Sequence, residues 1–425
     1  MAGASQVGQF PSEVALDYTR IPYRLFFDPT IEALEQQRLF QGPVWNYVGL
    51  EAELKRPGDF KTTTVGRVPM VVTRTEAGDF RLLVNRCAHR GAMVCNEPRG
   101  HRAMLVCPYH QWSYDLAGRL RGVPFRGGAG GRGGYPADFS LADHGLQSAR
   151  IDSYRGVLFG SFSDAAPPLT AYLGQQACAE LDRVFARPLR ILGYSRQEIR
   201  GNWKLYAENT RDPYHASLLH LFHATFTNHR ITAEGGNDTA PFAGHIHSVK
   251  GDDAAEAAAY EAQVGARGYR LADPSLMAGR PEFGRRVLSI LTVFPNLVVQ
   301  QIGNTLATRQ IVPLAVDRFE LLVTYFGYED DDAELASIRL KQANLIGPAG
   351  YISLEDGYAV ELVQQAIQGE CGAASVIEMG GRATESQDTL ATENGLRAFW
   401  RTYGRVMGWD GPGAANGSGG ATGAD

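Results

Sequence analysis

The hydrophobic pattern changes character along the chain. Between residues 45 and 160, apolar positions come in short runs rich in β-branched and aromatic residues, bounded by Gly, Pro or Asp. Phe60–Val65, Val68–Thr73, Phe80–Asn85 and Val157–Phe162 read as strands of this kind. The second half mixes two periods. Val287–Ile302, Leu306–Val312 and Phe319–Gly327 read as consecutive antiparallel strands. Leu335, Ile338 and Leu345 recur at helical spacing and predict a helix over 332–346 packed on that sheet. Residues 356–366 and 393–407 also read as helices. The fold class that follows is α+β: an all-β unit, then an antiparallel sheet flanked by helices.

The pattern contains no internal repeat. Residues 126–134 (Arg-Gly-Gly-Ala-Gly-Gly-Arg-Gly-Gly) lack a strand before and a helix after them, so they read as a flexible connection rather than a phosphate cradle. Residues 411–425 have the composition of a disordered tail. The expected organisation is a segment 1–43 packing on the second domain, a first domain 44–165, a second domain 166–410, and the tail.

Composition narrows the function class. The 425 residues are 44% hydrophobic and 20% charged, which supports a well-buried core. A net charge of −5 gives no general attraction to nucleic acid or to an anionic membrane. No apolar run approaches the ~20 residues that span a bilayer. The first residues lack a basic stretch followed by an apolar one, so no signal peptide is expected and the expected compartment is the cytoplasm. Five cysteines, an odd and sparse set, argue against a disulfide framework.

Three of those cysteines crowd together, and two sit beside histidines. Cys87-Ala-His89 is followed by Cys107-Pro-Tyr-His110, so each half offers one thiolate and one imidazole on a tight turn. Two such loops face to face can hold a [2Fe–2S] cluster, the cysteines on one iron and the histidines on the other. The rival is a structural zinc with two Cys and two His. Zinc motifs pair Cys with Cys and His with His, whereas each loop here mixes them. Trp112 and Pro108 are placed to shield the cluster, and His89 and His110 are expected to be its more exposed ligands. Cys95 and His101 fit neither half and read as ordinary residues.

A second histidine pair lies in 202–223. His215 and His220 would diverge by about 140° on a regular helix, so they reach one metal only if the helix breaks between them. Pro213 supports an irregular start. With a distant carboxylate they would form a 2-His-1-carboxylate triad. The spacing alone is weak, and the neighbours His223 and His229 read as structural or surface groups.

Taken together, these residues resemble the α subunits of Rieske non-haem iron aromatic-ring hydroxylating oxygenases, from about Asp17 to Gly408. The resemblance rests on Cys87-Ala-His89-Arg-Gly…Cys107-Pro-Tyr-His110 and on Asn202-Trp-Lys…Glu208-Asn…Asp212-Pro-Tyr-His215…His220, two motifs in family order. It implies an all-β Rieske domain ahead of a helix-grip-like catalytic domain. Each chain would hold one [2Fe–2S] cluster, on Cys87, His89, Cys107 and His110, and one mononuclear Fe(II). The iron ligands would be His215, His220 and, from Gly-Pro-Ala-Gly-Tyr-Ile-Ser-Leu-Glu-Asp, Asp356, with Glu355 as the less favoured neighbour. Asp212 would bridge His215 to the second Rieske histidine, His110, of a neighbouring subunit. That implies a head-to-tail trimer, α3 or, with a small β subunit, α3β3. Electrons would come from NAD(P)H through a separate reductase, with or without a ferredoxin, since no flavin or nicotinamide motif is present.

Within the family, the similarity is to oxygenases of aromatic carboxylates: anthranilate, salicylate, 2-halobenzoate and terephthalate. The resemblance makes Arg309 the receptor of the substrate carboxylate, a task that suits a guanidinium; a structural ion pair is its alternative role. A second arginine, needed for terephthalate, would stand where this chain has Leu390, and Arg382 is a weaker substitute. One cation and one apolar wall suit an ortho-substituted benzoate, anthranilate first, cis-dihydroxylated to give catechol. Terephthalate dioxygenation, monohydroxylation of salicylate and demethylation share the motifs. A pure Rieske electron carrier would explain only residues 45–160. Leu218, Phe222, Phe226, Val298 and Ile352 are candidate pocket residues.

Overall fold

The computed structural model describes residues 17–408 apart from 227–229, 252–261, 263, 264, 266 and 371. His229, Cys371 and the tail expected at 411–425 lie outside the described residues.

The chain opens with β1 (Arg20–Pro22), α1 (Pro29–Leu34) and a π-helical turn, Glu35–Phe40. Asp28 caps α1 by accepting from Thr30 N, and Pro29 follows it where a missing N–H costs nothing. β1 pairs with β19 (Ala374–Val376), far along the chain. The first large sheet runs β2 (Asn46–Leu50), β11 (Val157–Ser161), β10 (Ser148–Tyr154), β5 (Phe80–Val84), β4 (Val68–Arg74), β3 (Asp59–Val65), β6 (Arg99–His101). Every neighbouring pair is antiparallel. A small sheet of β7 (Leu105–Val106), β8 (Ser113–Tyr114) and β9 (Leu120–Gly122) stands beside it.

The second large sheet runs β12 (Leu189–Ile199), β18 (Arg318–Tyr328), β17 (Thr305–Ala315), β16 (Leu297–Ile302), β15 (Arg286–Val293), β14 (Gly244–Lys250), β13 (Gly235–Ala240), again antiparallel throughout. Its helices are α2 (Leu169–Val184), α3 (Trp203–Asn209), α4 (Ala216–Leu219), α5 (Leu221–Phe226), α6 (Ala333–Ile346), α7 (Ser353–Ile367) and α8 (Asn394–Met407). The all-β unit followed by an antiparallel sheet with helices is the expected α+β class. Two details differ from expectation. Val287–Ile302 is two strands, because Phe294-Pro295-Asn296 turns the chain and Pro295 has no N–H for a ladder. The helix Leu169–Val184 was not anticipated. Gly174 sits inside it at φ 75°, a kink that interrupts the apolar period.

Two sets of polar contacts lock the units together. Tyr47 N on β2 donates to Asn296 Oδ1 at 2.8 Å, and Gln310 Nε2 on β17 donates to Tyr47 O at 3.0 Å. Deeper, Glu35 and Lys204 are both fully buried and meet at 2.6 Å. Trp203 Nε1 and Tyr403 OH donate to the same carboxylate, at 2.8 and 2.6 Å. The N-terminal segment is thereby tied to α3, which leads into the second histidine pair.

Candidate metal centres and active site

The two cysteine–histidine loops have the same backbone construction. Cys87 O accepts from Gly91 N and Cys107 O from Gln111 N, both at 2.9 Å. Cys87 N donates to Ala92 O at 2.8 Å, and Cys107 N to Trp112 O at 2.9 Å. The fifth residue of each loop is left-handed, Gly91 at φ 76° and Gln111 at φ 56°. This tight turn points the cysteine inward and the histidine two or three residues later outward. Cys87 and Cys107 are buried, while His89 and His110 are half-exposed. The histidine rings meet edge to face with centroids 4.6 Å apart, and Trp112, buried, stacks on His89 at 4.8 Å and 7°. Pro108 is exposed, so Trp112 is the shielding residue of the two.

These loops fit a two-iron cluster. His89 Nδ1 is buried and has no hydrogen-bond partner among the described residues. Burial, with Cys107 close by, pushes the Cys87 thiol up, and the Tyr114 hydroxyl lies 3.1 Å from its sulfur. Metal would replace the proton on both thiols. Among the described residues, the His/Cys/Asp/Glu group whose donor atoms all converge within 4.8 Å is elsewhere, at His215, His220 and Asp356. Donors that do not close on one point suit a cluster with two metals better than a single zinc ion.

The second centre forms where α3 ends. Thr210–His215 is irregular, α4 lasts one turn, and His220 is extended at ψ 99° before α5 begins. The break removes the angular divergence that a continuous helix would impose. His215 and His220 thus lie with ring centroids 5.1 Å apart. Asp356, in the first turn of α7, brings Oδ1 to 3.4 Å from His215 Nε2 and 3.3 Å from His220 Nε2. Two imidazoles and one carboxylate on one side of a point form a donor set that suits non-haem Fe(II).

Each of these groups is held from behind. Asp212 Oδ2 lies 3.2 Å from His215 Nδ1, within ion-pair reach but off the line of a hydrogen bond, and its Oδ1 accepts from Tyr214 N at 2.9 Å. Glu355 Oε2 lies 3.0 Å from His220 Nδ1. Asn209 Nδ2 donates to Asp356 Oδ1 at 3.1 Å. Burial opposes a charge on His215, but Asp212 and Asp356 outweigh it and raise His215 to about 10. Burial likewise opposes the Asp356 charge, and the two histidines overcome it, bringing Asp356 down to about 2. Nearby Glu208 is pushed up to about 8 by burial, although Trp400 Nε1 donates to it at 2.6 Å.

The three donors open onto a cavity walled by Leu288, Ile290, Val298, Ile302 and Ile352, with Arg309, Gln300 and His247 as polar members. Arg309 Nη2 donates to Ser353 Oγ at 2.7 Å and to Ile346 O at 3.1 Å, and Nη1 donates to Tyr206 OH. Arg309 is buried and has no carboxylate partner among the described residues, and its Nε has no partner there either. His223, Leu288 and Ile302 also wall an outer cavity of about 360 Å³.

Two family matches divide this architecture between them. Residues 44–131 match the Rieske [2Fe-2S] domain, and residues 186–409 match the ring hydroxylating alpha subunit (catalytic domain). The chain belongs to the ring-hydroxylating oxygenase α subunits. The anthranilate 1,2-dioxygenase large subunit of Burkholderia cepacia is 49% identical over 92% of this chain and 94% of its own length. The terephthalate 1,2-dioxygenase terminal oxygenase component subunit alpha 2 of Comamonas sp. is 44% identical over 92% and 96%. The salicylate 5-hydroxylase large oxygenase component of Ralstonia sp. is 38% identical over 92% and 95%. In fold, the chain is similar to naphthalene 1,2-dioxygenase from Rhodococcus sp., with a TM-score of 0.76 over 91% of this chain and 94% of that one at 23% identity.

This α subunit is thus an aromatic ring-hydroxylating terminal oxygenase with a Rieske domain and a non-haem iron catalytic domain. No helix among the described residues is long and apolar enough to cross a membrane. Of the candidate pocket residues, some line the cavity of the metal donors and others do not. Leu218 is 70% exposed, on the outer side of α4, and does not line the pocket. Phe222 and Phe226 line the outer cavity, whereas Val298 and Ile352 line the inner one. Of the two roles read for His223, structural or surface, its burial rules out the second; it lines both cavities. Arg382 is 78% exposed and paired with Glu378, unable to stand in for a second buried cation. Leu390 is fully buried, in the same apolar cluster as the wall residues Leu288 and Ile302, and does not itself line either cavity. Sequence reasoning gave Glu355 no part except as a rival to Asp356. Its place one residue before a ligand on a helix was the available signal.

Proposed function

We propose that this chain is the oxygenase component that cis-dihydroxylates an ortho-substituted benzoate, with anthranilate as the first choice and catechol as its product. The observation that carries the reading is a buried guanidinium without a carboxylate, Arg309, on the same cavity wall as the His215, His220, Asp356 donor set. The Tyr206 hydroxyl, Ser353 and Ile346 O hold Arg309 in place and take three of its five N–H donors, leaving Nε and one Nη1 hydrogen for a carboxylate. Apart from Gln300 and His247, the wall facing the donor set is apolar and, among the described residues, holds no second arginine or lysine for a second anion, in keeping with the exposed Arg382. Bound Fe(II) on His215, His220 and Asp356 would supply O2 activation, and bound [2Fe–2S] on Cys87, His89, Cys107 and His110 the electrons. The chain's own work is orientation. Asp212 and Glu355 hold the two imidazoles from behind, and the apolar wall keeps water from the ring.

Electrons would enter from NAD(P)H through a separate reductase, with or without a ferredoxin, and cross between subunits from His110 to Asp212. Asp212 is only partly buried, and the exposed Leu218, Leu221, Leu354 and Tyr358 lie on the elements around it, as a face covered in an α3 or α3β3 ring would require. Single-turnover reaction of the reduced protein with anthranilate, salicylate, 2-chlorobenzoate and terephthalate tests the substrate. Anthranilate should give the most product, with both atoms from 18O2 in the initial diol. Turnover of terephthalate alone would overturn the reading.

A further inference from the structure

We propose that Gln300 reads the substituent ortho to the carboxylate and selects rings that carry an amino group there, whose second N–H is free to donate. The proposal rests on Arg309 as the carboxylate receptor.

Strand alternation places Gln300. On β16, Val298, Gln300 and Ile302 face the cavity of the His215, His220, Asp356 centre. Gln300 is buried, and its Oε1 has no hydrogen-bond partner among the described residues. Two other buried glutamines of this domain use both ends of the amide; the neighbouring Gln301 also leaves its Oε1 bare among the described residues but does not line this cavity. Gln342 accepts from Asn304 N and donates to Ala278 O, and Gln364 accepts from Asn202 N and donates to Phe26 O. An acceptor left bare in a wall of Ile290, Val298 and Ile302 is costly unless something arrives to satisfy it.

The register says where that something would sit. Val298 is opposite Arg309, and Gln300 is opposite Ala307. Gln300 and Arg309 are therefore diagonal neighbours on one face, about 7–8 Å apart at the backbone and within mutual reach of long side chains. A carboxylate on Arg309 leaves a ring free to rotate about that contact. A second anchor beside it fixes which ring edge meets the donor set. The amine of anthranilate has two N–H groups, one directed at its own carboxylate and one free for Gln300 Oε1. A methyl group or halogen in that place offers the carbonyl nothing, and a second carboxylate repels it.

The test is Gln300→Leu, of similar volume, with Gln300→Met as a second variant. Dissociation constants for anthranilate and 2-methylbenzoate are measured by calorimetry on the whole protein, alongside single-turnover yields. Equal iron content with wild type certifies the fold. The expected result is a preference for anthranilate over 2-methylbenzoate that falls about tenfold in either variant, with 2-methylbenzoate binding unchanged or tighter. An unchanged preference, with Arg309→Met weakening both ligands alike, would sink the Gln300 assignment and leave the carboxylate reading standing. If Arg309→Met leaves both ligands unaffected, the carboxylate reading fails and this assignment with it.

Discussion

The cluster loops occupy one short stretch of chain and repeat a single turn twice, with the same pair of backbone hydrogen bonds closing each. The iron centre does the reverse. His220 and its supporting Glu355 are 135 residues apart, on a broken helix and on α7, and neither turn resembles the other. The first centre depends on local backbone geometry; the second depends on how α3, α7 and the large sheet pack. Local construction should keep the cluster intact through changes that empty the iron site.

Removing an iron ligand tests that separation with the largest effect. Asp356→Ala should abolish turnover and take the iron content from about three per chain to about two, leaving the reduced-cluster signal in place. Iron analysis and electron paramagnetic resonance on the same sample measure both. A variant that still oxygenates anthranilate, or one that loses the cluster along with the iron, would break the comparison.

A stability change outside both ligand sets should also divide them. Glu35→Ala leaves the buried Lys204 ammonium without its carboxylate and strips Trp203 and Tyr403 of an acceptor. Breaking such a pair costs about 3–5 kcal/mol. Since Lys204 is on α3, the loss should reach the iron centre first. Iron should dissociate at a lower temperature than in wild type, while cluster bleaching follows its original course. Simultaneous loss of both signals would mean that the two units unfold as one.

The same contrast explains what could be read from residues alone. Cys87, His89, Cys107 and His110 declare themselves, because a tight turn fixes ligand spacing and spacing is visible in sequence. His215 and His220 are only half visible: their spacing demands a broken helix, and the structure supplies it at α4. Asp356 and Arg309 came from family resemblance, since nothing local distinguishes one acid among the 46 of this chain. The pairing of Glu355 with His220, and the bare Oε1 of Gln300, depend on packing and strand register, which no local pattern encodes. The kink at Gly174 hid a whole helix for the same reason.

A smaller effect is expected at the acid behind His215. Asp212→Asn keeps the size and the Tyr214 cap but removes the charge. Both metals should remain bound. Turnover sustained by the electron donor should fall about 10- to 100-fold, the range for losing a group that orients a metal ligand. A single turnover of protein whose cluster and iron are both already reduced should change much less. Equal losses in the two assays would mean that Asp212 positions His215 and carries no electron between subunits.

The mildest change is pH. Without metal, Asp212 and Asp356 hold His215 protonated up to about 10, against an ordinary value near 6.5. The imidazolium therefore favours the metal-free fold below pH 6.5, and that contribution fades as pH climbs towards 10. Iron must displace this proton, so its affinity should rise with pH, by up to about tenfold per unit between pH 6 and 8. Chelator competition at three pH values measures the slope. Asp212→Asn removes one of the two carboxylates that retain the proton, so it should flatten the slope while leaving cluster retention unaltered. A slope that Asp212→Asn does not alter would show that Asp356 alone holds the proton, and that the iron centre is tuned from within its own ligand set.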